Sequence, residues 1–295
     1  MRVLYISIIG FIMFSSCSNS SKDAPIEDDL INPKDTVLTS AHVQEVKEIF
    51  YNVPSPLEIS SMLKNAGVSY NAEYLNSFQK VSKYTTVEEM ATNLGVYGAD
   101  LSYNRLYDQI QESVNYFAAI KQLSDNLGIP QEQGGSAAER LESNLENRDS
   151  LLNIISQTYS NADQYLKQND RGSTASLIIM GGWIEALYIA TQITTQTDNN
   201  KLLLNNIAEQ KFSLQNLVGL LSNYKDDEIV AKYLKKLHKL ELVYDKVEIK
   251  QSENVVTTDT IKGLTIIDNS NEIIISDETF TEIMTILSDL RNEII

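Results

Sequence analysis

Residues 201–247 read KLLLNNIAEQKFSLQNLVGLLSNYKDDEIVAKYLKKLHKLELVYDKV. In the first half Leu203, Ile207, Gln210, Leu214, Leu217, Leu221 and Tyr224 recur at alternating spacings of four and three, with Gln210 the one polar interruption. After Lys225-Asp226-Asp227 a second stripe follows through Val230, Tyr233, Leu237, Leu240, Tyr244 and Val247. Apolar residues at that spacing lie on one face of an α-helix. Two such helices joined by so short a polar turn fold back on each other as an antiparallel hairpin. The fold class expected from this stretch is all-α, a bundle of helical hairpins.

Upstream, Ala175 to Ile193 is the most apolar internal segment, with Leu177, Ile178, Ile179, Met180, Trp183, Ile184, Leu187 and Ile189. Its length just reaches across a bilayer, but Glu185 lies within it and its neighbours are amphipathic, which favours a central buried helix. Thr86-Val87-Glu88-Glu89 is a helix start with acids in the first turn, where the helix dipole is positive. That helix is expected to run to about Leu127, ahead of Gly128-Ile129-Pro130, and others over residues 36–51, 55–67 and 148–167. After Lys250 the composition turns β-branched. Gly263 to Ile267 and Glu272 to Ile275 flank Asp268-Asn269-Ser270-Asn271, which predicts a small β-hairpin, and Ser276-Asp277 then caps a closing helix to about Arg291. No fixed-period repeat is visible.

The N-terminus has a different character. Met1-Arg2, an apolar run from Val3 to Phe14 and Ser15-Ser16-Cys17 follow the order of an export signal, and the run is far shorter than the roughly 20 residues of a spanning helix. Phe14-Ser15-Ser16-Cys17 resembles the lipobox of bacterial lipoproteins, with Phe14 in place of the commoner leucine. Cys17 is the single cysteine of the chain, so it has no internal disulfide partner, and acylation accounts for it. Multiple acyl chains, each methylene contributing about 0.8 kcal/mol, hold a protein stably to a membrane. The domain reading is therefore a signal peptide over 1–16, a lipidated polar tether over 17–35, a helical body over 36–250, and a β-hairpin with closing helix over 251–295. Ser18 stands where an aspartate would resemble an inner-membrane retention signal, so the outer membrane is expected, facing periplasm or cell surface.

The formal net charge is -16, and loss of Arg2 with the leader makes the remainder more negative. Such a chain repels phosphate backbones, which excludes nucleic acid as a partner. His42 and His238 are the two histidines, neither at ligand spacing with another metal-binding residue, and no zinc motif, Walker loop, Gly-x-Ser-x-Gly turn or Cys-His pair is present. No cofactor and no catalytic residue are assigned.

Four features merit a chemical reading. Ala91, Gly95, Gly98 or Ala99, and Ser102 share one helix face, and Gly182, Ala186 and Ala190 another. A helical glycine costs up to about 1 kcal/mol relative to alanine, so a close crossing of these two faces is expected to offset it. Glu185, beside Trp183 on the buried helix, calls for a cationic partner, with Arg105, Arg148 and Arg171 as the candidates. Asp100, Tyr103, Asn104, Tyr107 and Asp108 are close neighbours on one helix. Tyrosines beside carboxylates line sugar or peptide grooves, although core packing with solvated carboxylates explains the same residues. Lys232, Lys235, Lys236 and Lys239 form a basic face, read as a solvated one.

Tyr51-Asn52-Val53-Pro54-Ser55-Pro56, Asn93 to Leu101 (NLGVYGADL), Asn147 to Leu152 (NRDSLL) and Gly181-Gly182-Trp183-Ile184-Glu185 together resemble a family of uncharacterised helical lipoproteins of Bacteroidetes. The resemblance implies a mostly helical envelope protein and brings no established activity. Two functions remain in view. One is a lipid-anchored, non-catalytic module that binds or scaffolds an envelope protein or glycan. The other is an envelope hydrolase acting on glycans through a carboxylate pair such as Asp100 and Glu185, which glycosidase chemistry places roughly 5–10 Å apart across a cleft.

Overall fold

The computed structural model describes residues 68–130, 160–197, 201–251, 255–259, 264–268 and 271–295. It is an all-α helical bundle with a small β appendage. The helices are α1 (Val87–Leu106), α2 (Ile110–Asn126), α3 (Gly172–Thr195), α4 (Lys201–Ser222), α5 (Glu228–Tyr244) and α6 (Asp277–Ile294), with a further helical stretch over 160–168. The expected signal peptide over 1–16, Cys17, the expected tether over 17–35 and the helices expected at 36–51 and 55–67 lie outside the described residues, as does Arg148.

Local chemistry sets the ends of these helices. Thr86 and Glu89 form a capping box: Glu89 N donates to Thr86 Oγ1 at 3.1 Å and Thr86 N to Glu89 Oε2 at 3.0 Å. Asp227 caps α5 by accepting from Ile229 N and Val230 N, and Ser276 caps α6 by accepting from Thr279 N. The single helix expected from Thr86 to Leu127 is two helices. Asp108 adopts a φ of 55°, a left-handed conformation that Asp tolerates better than most residues, and there the chain turns from α1 into α2 without glycine or proline.

The central pair is α1 and α3, which share the largest helix–helix interface. α3 is long and apolar enough to cross a membrane, but 89% of its apolar window is buried inside the fold. α4 and α5 form the expected antiparallel hairpin, tied at its open end by Tyr244 Oη donating to Ile207 O at 3.0 Å. α6 packs on α3 and α5. Residues 68–84, carrying two short 3-10 turns at Ala72–Tyr74 and Phe78–Lys83, run as a strap beside α1 and α2.

The strands pair differently from the expectation. β1 (Glu248–Gln251) pairs antiparallel with β4 (Asn271–Ile274), and β2 (Val255–Asp259) with β3 (Leu264–Asp268). The β-branched runs at 264–268 and 271–274 thus belong to the same returning limb, and Asp268 and Asn271 are strand ends, not turn residues. Residues 248–251 and 255–259 supply the outgoing limb, and the chain reverses between Asp259 and Leu264.

Candidate functional site

α1 and α3 cross with backbone against backbone. A Cβ on Gly95 would overlap the Ile178 carbonyl oxygen, and one on Gly181 would overlap the Thr92 carbonyl oxygen. Gly182 is less constrained, since its Cβ would stand 3.2 Å from Gly95 O. The two small-residue faces therefore meet as expected, with one change: Gly181, which was not part of the stripe, sits closer to its neighbour than Gly182 does.

This close approach brings Asp100 of α1 next to Glu185 of α3. Both are fully buried, and the negative charge of Glu185 acts on Asp100. The cation paired with Glu185 is Arg291 of α6, which was not among the expected candidates Arg105, Arg148 and Arg171. Its Nε donates to Glu185 Oε2 at 2.6 Å and its Nη2 to Glu185 Oε1 at 2.8 Å, a bidentate fork, while the guanidinium carbon lies 4.1 Å from the centre of the Tyr188 ring. Arg171 Nη1 instead donates to Leu127 O at the end of α2. Arg291 was legible in principle, because it falls on the buried stripe of α6 with Ile283, Leu287, Leu290 and Ile294. A charged residue on an apolar helix face asks for an opposite charge in the core.

The strap closes the cluster from the other side. Asn76 N donates to Asp100 Oδ2 at 3.2 Å, and Arg291 Nη2 to Tyr74 O at 2.9 Å. Asn76 Nδ2 donates to Tyr84 Oη at 2.9 Å and to Asn93 Oδ1 at 3.0 Å. Asn93 Nδ2 in turn donates to Ile294 O in the last turn of α6 at 2.7 Å. Tyr97 Oη donates to Ser77 O at 3.0 Å and Tyr70 Oη to Asn104 Oδ1 at 2.7 Å. Burial, followed by the negative charge of Glu185, raises the Asp100 carboxyl well above the ordinary carboxylate range. Burial pulls Arg291 down, but Glu185 and Asp100 outweigh it and hold the guanidinium above its usual value. Burial also raises the phenols around the pair, Tyr70 to about 12 and Tyr84, Tyr97 and Tyr116 likewise upward.

No family model, curated protein or solved structure matches this chain.

Tyr103 and Tyr107 do pack together, rings 4.9 Å apart, but the chain's own Tyr70 stacks on Tyr103 at 5.5 Å and occupies the space a sugar or peptide would need. Asp108 is exposed, whereas Asp100 is sealed inside, so the expectation of solvated carboxylates holds for the first and fails for the second. Trp183 is 2% exposed, and its indole Nε1 has no hydrogen-bond partner among the described residues. The lysine face of α5 is partly neutralised: Lys232 pairs with Glu88 of α1 and Glu293 of α6, and Lys236 with Glu293. Among the described residues no cluster of three or more His, Cys, Asp or Glu is placed to hold a metal ion. A groove of about 310 Å³ lies between α4 and α5, lined by Lys211, Leu214, His238, Leu242 and Asp245, and shares no residue with the polar cluster.

Proposed function

We propose that this chain is a lipid-anchored protein of the bacterial outer membrane whose helical body is a non-catalytic binding or scaffolding module. The leader and lipobox-like tetrad ending in Cys17 supply the anchor, in keeping with the resemblance to helical Bacteroidetes lipoproteins. The observation that carries the reading of the body is the burial of its Asp100–Glu185 pair. Asp100 and Glu185 are both 0% exposed and are engaged with Asn76 and Arg291. A glycosidase pair stands on either side of a sugar in an open cleft, at separations of roughly 5–10 Å. Two buried carboxyls, engaged by Asn76 and Arg291 beneath a strap, leave no open cleft for a sugar ring, which weighs against the hydrolase reading for this pair.

Mass spectrometry of the native protein tests the anchor. The expected mature N-terminus is acylated Cys17, and Cys17→Ser should move the protein from the detergent phase to the aqueous phase on phase partitioning. An intact leader or an unmodified thiol on Cys17 would overturn the assignment. Affinity capture from envelope extracts with the acylated chain then tests the binding role, a stoichiometric envelope protein or glycan being the expected yield. Hydrolysis of envelope glycans by the purified chain, abolished by Asp100→Asn, would overturn it.

A further inference from the structure

The polar cluster contains more acid than base. Its surroundings are contributed by every element packed against it: Tyr97 and Asp100 from α1, Tyr70 and Tyr84 from the strap, Tyr116 from α2, Glu185 and Tyr188 from α3, and Arg291 from α6. Arg291 is the cation acting on Asp100, and its fork is already spent on Glu185 and Tyr74 O. Two ionised carboxylates would leave one negative charge uncompensated in a site with no solvent access. Asp100 Oδ2 accepts from Asn76 N, but Oδ1 has no donor directed at it among the described residues. An ionised, buried oxygen without a donor is strongly disfavoured, because neither water nor protein replaces its lost hydration. A proton on Asp100 removes the surplus charge and turns the carboxyl into a donor towards Glu185.

We propose that Asp100, Glu185 and Arg291 form a proton-loaded latch: one proton held on the Asp100 carboxyl keeps the 68–84 strap and α6 closed over the α1–α3 pair, and its loss loosens both. The strap is the element released because its Asn76 N and Tyr74 O are bonded directly to Asp100 and Arg291. α6 follows because Arg291 and the Ile294 carbonyl are its polar ties to the cluster and to Asn93 of α1. The sign follows from linkage. The folded chain binds a proton that the unfolded chain releases, so the stabilisation is complete below the ordinary aspartate range and declines as pH rises towards the folded-state value. The latch is tight in acid and loosens in alkali, the reverse of a protein whose carboxylates are held ionised by salt bridges.

Two measurements on the full chain test this. Infrared difference spectra at neutral pH should contain a protonated-carboxyl C=O band that shifts on isotope labelling of aspartate and is missing from Asp100→Asn. The asparagine amide can donate to Glu185 and accept from Asn76 N, so this variant mimics the protonated state permanently. Amide hydrogen exchange in residues 68–84 and 277–294, corrected for intrinsic rates, should accelerate as pH rises above the ordinary aspartate range in the wild type, by up to about tenfold per pH unit, and much less in Asp100→Asn. Absence of the aspartate band from the wild type overturns the proposal even if the variant fails to fold. Equal pH dependence of exchange in the two proteins overturns it as well.

Discussion

The α4–α5 hairpin and the α1–α3 crossing are both helix–helix contacts of the bundle, yet they are built on opposite rules. α5 buries one stripe, Val230, Tyr233, Leu234, Leu237, Leu240, Val243 and Tyr244, and leaves its other face to lysines and water. α1 buries every residue from Met90 to Leu106, including Asn93, Asp100, Asn104 and Arg105. Where one face is wet, large side chains at helical spacing set the contact. Where no face is wet, the polarity pattern disappears and size decides, with glycines at the point of closest approach and polar residues wherever another segment supplies a partner.

The largest effect should come from filling the crossing. Gly95→Leu or Gly181→Leu forces a side chain into the carbonyl of Ile178 or Thr92, and neither backbone group can swing aside. Overpacking of this kind costs a few kcal/mol even where side chains adapt, and with backbone on both sides the expected loss is about 4 kcal/mol or failure to fold. Urea unfolding would register it. Gly182→Ala, whose Cβ would stand a tight 3.2 Å from Gly95 O, should be milder than Gly95→Ala, whose Cβ would overlap backbone; equal melting of those two variants would mean the helices do not cross where Gly95 stands.

Next in size is the cluster at the polar half of the same interface. Arg291→Met strands Glu185 in the core and should cost about 3–5 kcal/mol in denaturant unfolding. Replacing both partners, Glu185→Met with Arg291→Met, should recover much of that loss, because removal of a whole buried pair is far less damaging than removal of one member. If the double variant is no better than the single, the pair matters for the shape of the site and not for its charge.

The uneven legibility of the sequence has the same origin as the comparison. The α4–α5 hairpin could be read in full because its periodicity reports burial directly, and the meeting of α1 with α3 could be read from Gly95 and Gly182 because helical glycine needs a reason. Burial of Glu185 was legible from its apolar neighbours. Burial of Arg291 was legible from its stripe on α6, but its pairing with Glu185 was not, since the two are 106 residues apart and helix spacing carries no information on long-range pairing. Asp100 beside tyrosines suggested a groove, and only the strap, whose irregular 3-10 turns leave no periodic trace, explains why it is a sealed site instead. Likewise the reversal at Asp108 rests on a left-handed aspartate, a conformation that no punctuation by glycine or proline announced.

The smallest expected effect has the opposite sign. Gly219 lies in α4, and an added Cβ there would meet nothing within 4 Å. Alanine is favoured over glycine in a helix interior by about 0.5–1 kcal/mol, partly through the freedom glycine retains in the unfolded chain. Gly219→Ala should therefore raise the melting temperature by about 1–2 °C, the scale for a chain of this length. The same substitution at Gly95 should lower it steeply. Intrinsic propensity is identical at the two positions, so any inversion of sign measures the cost of the α1–α3 contact alone, free of helix preference. Stabilisation at both sites would leave the close crossing without energetic support, whereas loss at both would place a covering surface over the outer face of α4.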